Sequence, residues 1–150
     1  MINARIRLII FLLAIIIPGQ LFSQAVKQGK ITLEITNIRN ETGDVKISLF
    51  DKADPFPGDH EQAVKRIIAG INNSTASAVF ENIPYGEYAI GIMHDENNNS
   101  FLDSNLFGMP KEGYGASNNP PVRMGPPLYE DAKFTLDKPE LRLTIKMIYF

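Results

Sequence analysis

The stretch HDENNNSFLD, residues 94–103, spaces oxygen-bearing side chains two apart: Asp95, Asn97 and Asn99, with Asp103 following. Hard cations such as Ca²⁺ take roughly six to eight oxygens from carboxylates, amides and backbone carbonyls. Alternate side chains of a curling loop turn to one side. The spacing therefore fits the first, third, fifth and ninth places of a calcium loop, with the carbonyl of Phe101 at the seventh. Two departures are plain. Ser100 stands at the sixth place, where such loops use Gly for a sharp turn, and Leu106 at the twelfth, where a bidentate Glu closes the shell. A further carboxylate would have to come from Glu112, Glu130 or Asp131. With only two formal charges at the ligand places, the expected affinity is weak, on the order of 10⁻⁴–10⁻³ M, and the expected role is to pin a loop. The competing reading is that Asp and Asn form turns and populate exposed loops without any ion.

A second block, KEGYGASNNP at 111–120, sets Tyr114 between two glycines and follows it with Ser117 and Asn118. One reading is a preformed ligand surface: Tyr114 as a stacking platform, with Glu112, Ser117 and Asn118 as hydrogen-bonding groups for a glycan or another envelope protein. The other is a loop that satisfies its own hydrogen bonds and lies over one end of the fold. A binding module should show Tyr114 and Phe107 on one face beside the Asp/Asn loop; an accessory protein should show that loop collapsed onto the scaffold.

Catalysis has little to recommend it. His94 beside Asp95 could be drawn as an acid/base group for a hydrolase, but neighbouring residues of a strand face opposite ways. G-x-S-x-G, H-E-x-x-H, a Cys nucleophile and a phosphate-binding Gly loop are all missing. His60 and His94 are the only histidines, too few for a multi-histidine zinc centre. The expectation is a non-catalytic protein.

The elements that must position these residues read as short strands. KITLEIT at 30–36 alternates Ile31, Leu33 and Ile35 with polar residues, and Val45, Ile47 and Leu49 repeat the period of two beyond Gly43-Asp44. Period-two runs joined by a short polar segment predict a hairpin. The loop DKADPFPGD excludes a regular central strand, and AVKRIIAGI suggests a helical turn leading into an edge strand. Ala76, Ala78 and Phe80 alternate before Pro84-Tyr85-Gly86, and Tyr88, Ile90 and Ile92 alternate after it. About thirty aperiodic residues follow His94, an uncommon length for a loop unless it is functional. YEDAKFTL and ELRLTIKMIYF then predict two final strands, with Leu141, Leu143, Ile145 and Met147 facing inward. About seven short strands separated by turns predict an all-β, antiparallel sandwich of immunoglobulin-like or prealbumin-like architecture.

The first residues address the compartment. Arg5 and Arg7 precede an apolar run from Leu8 to Ile17, then Pro18-Gly19, the layout of a signal peptide rather than of a spanning helix. Cleavage after Ser23 is expected, leaving 24–150 as one β-sandwich domain, periplasmic or secreted, with no membrane span. There is no Cys, so no disulfide holds the fold despite the export signal. The net charge of −2 becomes more negative once Arg5 and Arg7 leave; it offers no footprint for nucleic acid.

Two resemblances follow from these residues. FENIPYGEYAIGI is similar to the F-x-x-(L/I)-P-x-G-x-Y hairpin of prealbumin-like and carboxypeptidase-regulatory-like sandwiches, implying that Phe80 and Tyr88 pack together and that Gly86 supplies a positive φ. HDENNNSFLDSNLFGMPKEGYGASNNP, followed by GPPLYEDAKFTL, resembles the exported bacterial family catalogued as domain of unknown function 2141 (DUF2141). That resemblance spans nearly the whole chain after the leader. It implies export and a small β-sandwich, and no activity.

Overall fold

The structure is a computed structural model that describes residues 26–150; residues 1–23, the expected signal peptide, lie outside the described residues. Eight strands are present: β1 Gln28–Thr36, β2 Asp44–Phe50, β3 Lys65–Ala69, β4 Ala76–Pro84, β5 Gly86–Asp95, β6 Gly113–Ala116, β7 Phe134–Leu136 and β8 Glu140–Lys146. They form two sheets. One has the order β4-β1-β8; the other has the order β3-β2-β5-β6, with β7 paired to the far end of β5. The expected all-β sandwich is the fold, and it does not close into a barrel. Neighbouring strands are antiparallel except β1 and β8, which run parallel in the register Ile31↔Leu141 to Ile35↔Ile145.

The period of two decides which faces meet. Ile31, Leu33 and Ile35 of β1, Val45, Ile47 and Leu49 of β2, and Ile90 and Ile92 of β5 are buried in one core with Phe80, Ile83 and Ile145. At roughly 1.5–3 kcal/mol for each buried large aliphatic or aromatic side chain, this core is the main source of stability.

The pairing differs from the hairpins expected. β1 and β2 belong to different sheets, as do β4 and β5. The segment after β1 leaves its sheet because Asn37, at φ 64°, turns the chain. Its Nδ2 donates to Met147 O at 2.7 Å, and Ile38 drops into the core. At Pro84 the chain crosses between sheets, and the Tyr88 hydroxyl donates to Pro84 O at 2.9 Å. Phe80 and Tyr88 thus share the core between the layers instead of facing each other across a ladder. The positive φ of this region belongs to Asn82, at 57°, and not to Gly86. Periodicity reports which face is buried; it does not report the partner strand.

Two other elements depart from expectation. Tyr129–Ala132, expected within a strand, forms one helical turn (α1) that seats buried Ala132 before β7 begins. The Gly-Tyr-Gly-Ala segment, expected within an aperiodic loop, is strand β6, paired with β5 from Gly91↔Ala116 to His94↔Gly113. Its glycines hide the period of two. A Cβ on Gly113 would meet the Tyr149 ring and the Met147 side chain, so no larger residue fits that inward position.

The five-stranded sheet packs on the core with its inner face and is covered in part on its outer one. On its outer side Phe50, Phe56, Ala89, Ala116 and Ala132 form a second, smaller core. The Phe50 and Phe56 rings meet edge to face at 5.5 Å. The 51–63 loop, which carries a short 3₁₀ turn at His60–Gln62, and α1 close over this face.

Candidate functional site

Between the two coverings the outer face of the large sheet stays open. Gly91 and Met93 of β5 and Tyr114 of β6 form the floor of a cleft of about 1320 Å³. One wall is the 54–61 loop, the second is 100–110, and the third is 123–127 with Phe150. Tyr114 stacks on Phe150 with ring centroids 6.1 Å apart and planes 26° from parallel. The lips are apolar and stand in solvent: Phe107 is 91% exposed, Met124 107% and Phe101 73%. Contiguous exposed apolar surface of this kind marks interaction sites in soluble proteins.

The Asp/Asn loop forms the base of the 100–110 wall. Alternation along β5 sends His94 into the sandwich and Asp95 outward, and both are buried. Asp95 anchors the loop. Its carboxylate accepts N–H bonds from Asn99 at 3.1 Å and Ser100 at 2.8 Å, and pairs with the Lys46 ammonium. Burial pushes the Asp95 carboxyl up, but Lys46 and the two backbone donors outweigh it and hold the group below its ordinary value. The Asn97 side-chain oxygen accepts from Asn99 N at 3.0 Å, and that of Asn99 accepts from Phe101 N at 2.8 Å. Ser100, at the sixth place, adopts the φ of 69° that Gly would otherwise supply. Asp103 receives Asn97 Nδ2 at 2.7 Å and Asn99 Nδ2 at 3.3 Å.

The expected ligand residues thus curl together, with Phe101 carried out to the lip. Their oxygens are already engaged, Asp95 by an ammonium and Asp103 by two amide N–H groups. Among the described residues no group of three or more His, Cys, Asp or Glu side chains is arranged to hold a metal. A cation here would rely on amide and backbone oxygens.

The second block divides. Tyr114 belongs to the cleft floor. Glu112 is buried beneath the loop, where its two oxygens accept the N–H groups of Glu96 at 2.9 Å and Asp103 at 3.0 Å; of the three carboxylates considered as a supplement, it is the one that reaches the loop. Glu130 pairs with Lys133 and Asp131 with Arg123. Ser117 is fully buried, accepting Ile90 N–H at 2.9 Å and donating to Ala132 O at 2.6 Å, and Asn118 donates to Lys133 O at 2.7 Å. These two hold α1 and its neighbours against the sheet and do not line the cleft.

His94 stands apart from the cleft. One ring nitrogen meets Thr42 O at 2.7 Å and the other the Tyr149 hydroxyl at 2.8 Å. Since a carbonyl only accepts, Nε2 carries a proton and donates it to Thr42 O, while Nδ1 and the Tyr149 hydroxyl share the other bond. Burial pushes the Tyr149 phenol up, and Arg39 lies over its ring at 4.7 Å.

Nothing in the sequence pointed to the 54–61 wall, but the 100–110 wall left a sign. The signal was the clustering of Phe101, Leu102, Leu106, Phe107 and Met109 in a segment with no strand or helix period, which leaves apolar residues without a core to enter.

The family model described as an uncharacterized protein conserved in bacteria (DUF2141) matches residues 33–144. No curated protein and no solved structure matches the chain.

Proposed function

We propose that this chain, which belongs to the DUF2141 family of bacterial proteins, is an exported, non-catalytic binding module of the cell envelope. The observation that carries the reading is the open cleft on the outer sheet face, with Tyr114 in its floor and Phe107 on its lip beside the Asp/Asn loop. Ligand sites are concave and mostly apolar with a few polar groups, and this cleft has that character. The burial of His94, with both ring nitrogens engaged, supports a structural role for it rather than acid/base work. The leader at 1–23 supports export; fractionation should recover a product lacking it outside the cytoplasm.

The test of the cleft is titration with the neutral apolar dye Nile red. Saturable fluorescence enhancement is expected, weakened about tenfold or more in Phe107→Ser/Met124→Ser. These side chains are exposed, so both replacements should leave thermal unfolding unchanged. A dye that gives no saturable signal, or binds the variant equally well, returns the protein to a purely structural envelope role.

Calcium is the second reading, favoured by the curl of Asp95, Asn97, Asn99 and Asp103 around one turn. It would be a weak, loop-ordering ion and would act on stability by mass action. Millimolar calcium should raise Tm by a few degrees; Asp103→Ala should remove the rise, and Lys46→Met should enlarge it by withdrawing the competing ammonium. A Tm indifferent to calcium in all three proteins removes the ion from the account.

A further inference from the structure

The reading of the cleft as a ligand site is the premise of a narrower one, which concerns what enters it. The lining is adaptable as well as apolar. Four methionines lie among the described residues; Met93, Met109 and Met124 line the cleft while Met147 is in the core. Unbranched thioether side chains reshape around flexible apolar partners, and such a lining suits an alkyl chain better than a flat, polar sugar. The volume of about 1320 Å³ lies above the roughly 300–1,000 Å³ of compact small-molecule sites, which leaves room for an alkyl chain and its head group. Stacked Tyr114 and Phe150 form the apolar side of the floor, and at Gly91 the absent side chain lets Pro57 and Phe50 pack close against the sheet.

The charged groups of the lining have one prevailing sign. Asp54, Asp59 and Glu61 stand on one wall. Arg123 is the only Lys or Arg of the lining, and its guanidinium lies 3.3 Å from Asp131. Glu61 is paired with Arg66, while Asp54 and Asp59 have no ion-pair partner among the described residues. His60, between Asp59 and Glu61, hydrogen-bonds Ser48 at 2.9 Å. The cleft is thus an apolar slot with an acidic rim, complementary to a cation at the end of an alkyl chain.

We propose that the cleft binds a monomeric single-chain amphiphile, its alkyl chain lying over Met93 and Tyr114 between the Met and Phe side chains of the lips and its cationic head meeting Asp54 and Asp59.

Three dodecyl probes that differ only in the head decide it: dodecyltrimethylammonium, dodecyl maltoside and dodecyl sulfate, each below its micelle concentration. The readout is ¹³C-methyl-methionine NMR of the chain from residue 24. Met93, Met109 and Met124 should shift while Met147, in the core, stays put. The cationic probe should bind about tenfold more tightly than the neutral one, as expected for one cation near two exposed carboxylates. That advantage should shrink in 0.5 M salt and vanish in Asp54→Asn/Asp59→Asn. Equal affinity for all three heads, or a preference for sulfate, overturns the cationic-head assignment while leaving the Nile red site intact. Shifts at Met147 as well as the cleft methionines, with loss of cooperative unfolding, would mean detergent denaturation and also count against it. Co-sedimentation with phosphatidylcholine vesicles without uptake of any monomeric probe would replace it with a membrane surface, and binding by none of the dodecyl probes overturns it outright.

Discussion

At the residue scale the decisive group is Asp95, which has no exposure to solvent and ties the 95–103 turn to β2 through Lys46. Removing one partner of a buried pair leaves an uncompensated charge, at a cost of about 3–5 kcal/mol. Two backbone donors remain on Asp95, so Lys46→Met should fall near the lower end, about 3 kcal/mol, by urea unfolding at pH 7. The folded carboxyl lies below its unfolded value of about 3.9, so its ionisation favours folding. That contribution is fully present above about pH 4 and is lost as pH falls through the folded value. Asp95→Asn should therefore be less stable than the parent at pH 7, and its stability should fall less steeply below pH 4. Parallel pH profiles for the two proteins would show that Asp95 is not held in this way. Gly43 explains part of the anchoring. It sits at φ 70°, and a Cβ there would strike the carbonyl of Asp95, so this turn packs directly against the start of the loop.

At the element scale the sheets show how exposed edges are closed. The outer edge of β8 is met by Asn119, whose amide donates to Thr144 O at 2.9 Å and accepts from Lys146 N at 2.7 Å, as one more residue of strand would do. Lys65 reaches from β3 to Glu81 O on the β4 edge at 2.6 Å. Unpaired edges template association with other chains. Asn119→Ala should cost about 1 kcal/mol, the usual net value of such bonding, and should raise the rate of aggregation at 37 °C by light scattering. An unchanged rate would mean that the remaining charged side chains of β8, such as Arg142, suffice.

At the scale of the whole molecule the sandwich and the cleft are separable. The core between the sheets carries stability: Ile145→Ala, at a fully buried site, should cost about 2–5 kcal/mol. The lips of the cleft carry none of it, since Phe107 and Met124 make little contact that burial could reward; Phe107→Ser should leave unfolding within about 0.5 kcal/mol of the parent. Urea titration of both variants checks the division, and a Phe107→Ser protein as destabilised as Ile145→Ala would place the lip inside the cooperative core. Three loops, drawn from 54–61, 100–110 and 123–127, meet over one sheet face only because the sandwich brings them there.

Local patterns in the sequence determined which residues of β1, β2, β4 and β5 face inward, because burial on one face of a strand imposes a period of two that survives in a single chain. They also determined the curl of the 95–103 turn, because Asx hydrogen bonds form between residues two to five apart. Tertiary structure decided the rest. Strand partners are long-range and leave no local mark, so β1 joined β4 and β8 instead of β2. Strand β6 was hidden because glycines carry no hydrophobic period, and Ser117 and Asn118 proved to be clamps because their carbonyl partners lie on α1 and the chain beside it. The cleft left one mark in the sequence, the apolar cluster at 101–109 that has no strand or helix period; its shape is the space left where the coverings of one sheet stop, and only the packed molecule defines it.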